Sequence, residues 1–115
     1  MKRMVSMFVL LAFAASLAYA HHGWTGYDES KPLTLTGAIK ASGYENPHGF
    51  VDLQVDKKVW HIVLAPPARM ESRGLPKEKL KAGSMATIVG YQNKENKDEI
   101  RAEKITIDGK TTELR

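Results

Sequence analysis

From residue 33 onward, apolar and polar residues alternate in short stretches of period two, the signature of half-buried β-strands. In Leu33 to Lys40, Leu33, Leu35 and Ile39 alternate with Thr34, Thr36 and Lys40, and Gly37 breaks the period where a bend or bulge can sit. Phe50 to Val55 alternates again, with Val51, Leu53 and Val55 on one side. Asp56-Lys57-Lys58 then turns the chain into Val59 to Leu64, which makes a hairpin. In its second arm Trp60, Ile62 and Leu64 share a face, which leaves His61 on the other with Val59 and Val63. Between the first two strands lies Gly43-Tyr44-Glu45-Asn46-Pro47-His48-Gly49. Pro47 fixes its own φ and pushes Asn46 out of the helical region, so His48 is held on a turn.

Ala65-Pro66-Pro67 ends the third strand. Ala68 to Arg73 follows as a short helix started by Pro67 and stopped by Gly74, with a further helical turn over Lys77 to Leu80. Met85 to Tyr91 and Ile100 to Ile107 return to β character around a polar loop, Gln92 to Glu99. Asp108-Gly109 is a hairpin signal before a last segment ending at Leu114. Three strands, a short helical connection, then two or three strands make an all-β chain. The order is that of the small five-stranded barrel called the OB-fold, whose closure removes exposed edges. The expectation is a five- to six-stranded antiparallel OB-like barrel over residues 33–115, with an open sheet or a sandwich of the same strands as the alternative.

The segment before the barrel changes this picture in one respect. Lys2 and Arg3, the apolar run Met4 to Leu17, and Ala18 and Ala20 read as a signal peptide over residues 1–20, cleaved between Ala20 and His21. The run is shorter than the roughly 20 residues of a spanning helix, so no membrane anchor is expected after cleavage. Residues 21–32 form an N-terminal arm without alternation. With no Cys in the chain, neither a lipid-modified cysteine nor disulfides are available. Stability must come from strand pairing and apolar packing. The net charge of +4 includes Lys2 and Arg3, and the remaining chain has 15 basic against 13 acidic side chains. That excess is too small to argue for nucleic acid or a membrane surface as partner. The expected location is the periplasm or the exterior.

The chemistry available is that of histidine. No G-x-S-x-G elbow, phosphate-cradling loop or H-E-x-x-H pair is present, so no catalytic residue is assigned and the chain is not read as an enzyme. A terminal residue that is itself His offers two nitrogens to one metal, its α-amine and its ring Nδ1. With one more imidazole, three nitrogens form the tetragonal arrangement that suits Cu(II), a histidine brace. His21 and His48 are the preferred ligands, and His22 is the alternate because a free terminus can bind Cu(II) through it without any fold. An α-amine titrates near 7.7 to 8.0, so freeing it costs roughly 1 kcal/mol at neutral pH, far below the binding energy of a chelated metal. Asp28 could act as a weak oxygen ligand or orient an imidazole. Trp24, Tyr27, Tyr44 and Trp60 could line a ligand surface, although each is more simply a packing residue. His61 reads as a satisfied strand histidine. Arg69 and Arg73, one helical turn apart beside Glu71, read first as a solvated face.

The chain resembles a family of small exported bacterial proteins catalogued as a domain of unknown function. The likeness runs through His21-His22, Tyr27-Asp28, Leu33-Thr34-Leu35-Thr36-Gly37, Asn46-Pro47-His48, the Trp60 strand, Arg69-Met70, Gly74-Leu75 and Leu80-Lys81-Ala82-Gly83. The two-histidine start and the Asn-Pro-His turn are its most specific parts. The resemblance implies a compact β-barrel behind a signal peptide and brings no activity. Some relatives carry a Gly-Asp turn where this chain has Gly83-Ser84, and a further His-Pro where it has Tyr91-Gln92.

Two functions follow from different classes. The first is a periplasmic copper-binding protein in metal handling. The second is a non-metal binding module whose barrel surface holds a small molecule or a partner protein. Oligonucleotide binding, the usual work of the fold, ranks third, and a brace-type copper oxygenase fourth because so short a chain offers little surface for a polymeric substrate.

Overall fold

A computed structural model describes residues 23–115. The signal segment 1–20, the Ala20–His21 cleavage point and the ligand candidates His21 and His22 lie outside the described residues. The strands are β1 (Leu33–Gly43), β2 (Phe50–Val55), β3 (Lys58–Val63), β4 (Met85–Gln92), β5 (Glu99–Ile107) and β6 (Lys110–Glu113). A helix, α1 (Pro67–Ser72), and a 3-10 turn (Lys77–Leu80) join β3 to β4. Among the described residues no helix is long and apolar enough to cross a membrane.

The sheet runs β3-β2-β1-β4-β5-β6, and β3 also pairs with β5. That last pairing closes the first five strands into a barrel of OB-fold order, with β6 added as a hairpin on β5. The closed barrel, rather than the open sheet or sandwich, is therefore the fold. Its closing seam is parallel and short, His61 to Glu99, Ile62 to Ile100 and Val63 to Arg101, because the helical connection and β4 intervene between the two strands.

The long strand β1 serves two neighbours. Leu33 to Ala38 pair with β4, and Ala38 to Gly43 pair with β2. The bulge expected at Gly37 occurs further on, between Ile39 and Ala41. Gly37 serves instead for close approach, since a Cβ there would lie 2.0 Å from the Gln54 carbonyl oxygen. At the β5–β6 turn Asp108 and Gly109 have φ of 52° and 75°, the left-handed pair a two-residue hairpin demands.

Alternation then builds the interior. Val51, Leu53, Ile62, Ile88 and Ile100 are completely buried, and Met70, Leu75 and Leu80 of the β3–β4 connection close over the same core. Each such side chain contributes about 1.5–3 kcal/mol by leaving water. Pro67 opens α1 one residue earlier than the sequence reading placed it. Arg69 and Arg73 are not simply a solvated face. Arg69 Nη1 donates to the Leu114 carbonyl at 2.9 Å, and Arg73 Nη1 donates to the carbonyls of Glu113 at 2.8 Å and Arg115 at 3.1 Å. The helix thereby pins the end of β6, the edge strand of the described sheet, and the two residues after it.

Candidate metal-binding site

His48 sits on the β1–β2 connection, immediately before Gly49. The Gly49 amide donates to Ala65 O at 2.9 Å, and its carbonyl accepts the Leu64 amide at 2.8 Å. A Cβ at Gly49 would lie 2.6 Å from Met70 Cε. The loop is thus clamped between the end of β3 and α1, which fixes the backbone next to the imidazole.

Opposite it stands Arg101 of β5, on the outer side of the barrel, paired with Tyr91 across β4 and with Val63 across the seam. Arg101 is only 8% exposed. Its Nη1 donates to the Gly23 carbonyl, and its Nη2 is 3.2 Å from His48 Nε2. A guanidinium can only donate, so Nε2 is the acceptor and the proton of the neutral imidazole resides on Nδ1. Burial, with Arg101 and Arg69 adding their positive charge, holds the His48 pKa below its ordinary 6.5.

The cover over Arg101 comes from the arm. The Trp24 ring packs against two guanidiniums, that of Arg101 at 4.3 Å and that of Arg115 at 4.1 Å, and meets Tyr91 edge-on at 6.2 Å. Further along, Asp28 N donates to Gln92 O and Lys94 N donates to Gly26 O, both at 2.9 Å. Tyr27 donates to Glu99 Oε2 at 2.5 Å, and burial, reinforced by that carboxylate, pushes its phenol up to about 12. The arm is therefore docked along β4 and β5 by backbone and side chain together.

Arg101 itself is unevenly satisfied. Arg115 pairs with Glu29 at 2.5 Å, whereas no carboxylate forms an ion pair with Arg101 among the described residues. Its Nε is buried without a hydrogen-bond partner.

Of the residues expected from sequence, His48 and Trp24 converge on Arg101, and Gly23, the residue after His22, joins them. Tyr44 and Trp60 have other partners: the Tyr44 hydroxyl donates to Leu75 O at 2.7 Å, and Trp60 packs against the core under the Lys58 ammonium, 3.6 Å from its ring centre. The aromatics expected to line a ligand surface are thus divided among separate contacts. The Asp28 carboxylate accepts from the amide and hydroxyl of Ser30, at 3.1 Å and 2.5 Å, and those bonds keep its pKa below the ordinary value. Among the described residues no three His, Asp or Glu side chains are grouped closely enough to hold a metal ion.

Two features escaped the sequence reading. Arg101 stands in an alternating strand with no local mark of burial. His61 Nδ1 lies 2.8 Å from Asp52 Oδ1, with the Phe50 ring 5.0 Å from the imidazole. This second contact was readable: a turn at Asp56-Lys57 pairs Val55 with Lys58, and counting back places Asp52 opposite His61.

Residues 9–103 match the model of a family of unknown function. No curated protein matches the chain.

Proposed function

The chain belongs to that family, DUF6152, and because membership brings no activity with it we propose, from the chain's own residues, an exported protein that binds copper through a processed N-terminal histidine. After cleavage at Ala20, His21 supplies its α-amine and ring Nδ1 to one ion, and His48 supplies a third nitrogen. His22 is the alternate donor. The role is metal handling rather than catalysis.

One observation carries this reading: a single guanidinium holds both the Gly23 carbonyl and His48 Nε2. Consecutive Cα atoms are about 3.8 Å apart, so the His21 Cα is at most about 7.6 Å from that of Gly23. That tether supports a terminal chelate and the His48 ring sharing one ion. The lowered pKa of His48 supports it too, since burial and two arginines shift the imidazole toward its neutral form, the form a metal requires. Three neutral nitrogens favour Cu(II) over the oxygen-seeking cations.

The test is a Cu(II) titration, followed by electron spin resonance, of protein beginning at His21 and of protein with one extra residue before it. Micromolar or tighter binding is expected, with nitrogen coupling that changes when the terminus is extended. Identical spectra from the two forms, or no binding, would sink the proposal. A mass spectrum of the exported protein should begin at His21.

A further inference from the structure

Strand β6 carries a lysine on its inner face. The β5–β6 register sets Lys110 opposite Ile107 and Thr112 opposite Ile105, and period-two alternation puts both with buried Leu114, on the side away from exposed Thr111 and Glu113. Lys110 and Thr112 line a cavity of about 230 Å³ between the 3-10 turn, the residues after α1 and the β5–β6 hairpin. Leu75 and Ile107, 4% and 5% exposed, give it apolar walls, and the exposed Lys79 stands at its rim. The space is below the roughly 300–1,000 Å³ of a drug-sized ligand pocket, so its occupant is small.

The polar groups facing this cavity have spare capacity. Lys110 Nζ donates to the Gly74 carbonyl at 3.3 Å, beyond the roughly 2.7–3.2 Å of a good N–H···O bond. Thr112 is 3% exposed. Among the described residues its hydroxyl has no hydrogen-bond partner, whereas Thr111, on the other face, bonds Thr106 at 2.7 Å; buried hydroxyls are ordinarily satisfied. Neither Lys79 nor Lys110 forms an ion pair with a carboxylate among the described residues, and residues 1–22 contain no Asp or Glu. Gly74 leaves the mouth open, since a Cβ there would collide with Lys110 Nζ.

We propose that this cavity binds a short aliphatic monocarboxylate. Lys110, Lys79 and the Thr112 hydroxyl donate to its carboxylate, and its chain lies on Leu75 and Ile107, each CH₂ fully buried there raising affinity about fourfold. Asp108, which also lines the cavity, sets the charge. Two ammoniums and one carboxylate leave a single positive charge, which matches a monoanion better than a phosphate dianion. The site shares no residue with the proposed copper ligands, so either can fail without the other.

The test is a titration of the protein, followed in ¹H–¹⁵N spectra, with butyrate, acetate, butanol and inorganic phosphate. Butyrate should bind in the millimolar range and shift the amides of Leu75, Lys110 and Thr112. It should bind roughly tenfold more tightly than acetate, which is two CH₂ groups shorter, and more tightly than butanol or phosphate. Lys110→Met should weaken butyrate binding roughly tenfold, and Thr112→Val, which keeps the side-chain shape, several-fold. Asp108→Asn, at a left-handed φ of 53° or so that asparagine also adopts, should tighten it, a gain that no misfolded variant would give. No butyrate binding, acetate, butanol or phosphate matching butyrate, or affinity unchanged in folded Lys110→Met and Thr112→Val overturns the proposal.

Discussion

Trp24→Leu tests whether the arm is held by its aromatic clasp. The ring faces two guanidiniums, at 4.3 Å and 4.1 Å, each such contact being worth about 0.5–1 kcal/mol when exposed and about 2 when desolvated. Its edge-on contact with Tyr91, at 6.2 Å and 75°, adds about 0.5–1.5 kcal/mol. Leucine keeps part of the apolar cover, and the Glu29–Arg115 pair, exposed on both sides, supplies little. A net loss of about 2 kcal/mol follows, which is about 30-fold in the equilibrium for lifting the arm. Native-state hydrogen exchange reads it at two amides, those of Asp28 and Lys94, whose acceptors are Gln92 O and Gly26 O. Both should exchange about 30-fold faster, while the amide of Ile88, in the middle of β4, keeps its protection. Exchange at Asp28 and Lys94 within twofold of wild type would refute the clasp. Equal acceleration at Ile88 would show that arm and barrel open as one unit.

Gly37→Ala should destabilise the barrel by roughly 3 kcal/mol, because the new Cβ would meet backbone, the Gln54 carbonyl oxygen, at 2.0 Å; a urea midpoint unchanged from wild type would contradict this. The Tyr27 phenol, pushed up to about 12 by burial and Glu99, keeps its proton longer in the folded chain than in the unfolded one. Stability therefore falls as pH rises from about 10 to about 12, and Tyr27→Phe should remove that part of the slope in alkaline denaturation. For His48 the sign is opposite. Its folded pKa lies below 6.5, so the unfolded chain takes up the proton first and stability falls as pH drops through 6.5 toward the folded value. His48→Gln should flatten the curve in that range, and an unchanged acid limb would refute the assignment.

Much of the barrel was legible because its strands are half-buried and alternate. The β2–β3 hairpin, the start of α1 at Pro67 and the Asp108-Gly109 turn each follow from residues within a few positions of one another. Closure was not legible in the same way. It depends on three register pairs between β3 and β5, strands distant in sequence, and local periodicity is the same for a closed barrel and an open sheet. Gly37 shows another limit: the sequence marks a place where a side chain is unwelcome, but the carbonyl of Gln54 that makes it so belongs to the neighbouring strand.

The site divides along the same line. Pro47 announces a turn, and a turn presents His48. Arg101 gives no such signal, because its burial is the work of an arm that has no periodicity and is fastened by single contacts: a carbonyl at Gly23, an indole at Trp24 and a phenol at Tyr27. The overall charge of the chain, +4 in 115 residues, also does not show the local excess that Arg69 and Arg101 create around one imidazole. Burial together with that excess holds the His48 pKa down, and at the same time Arg101 occupies the imidazole lone pair. The second effect is the stronger at rest, because a 3.2 Å contact takes the lone pair itself, whereas lowering the pKa only keeps that lone pair free of a proton.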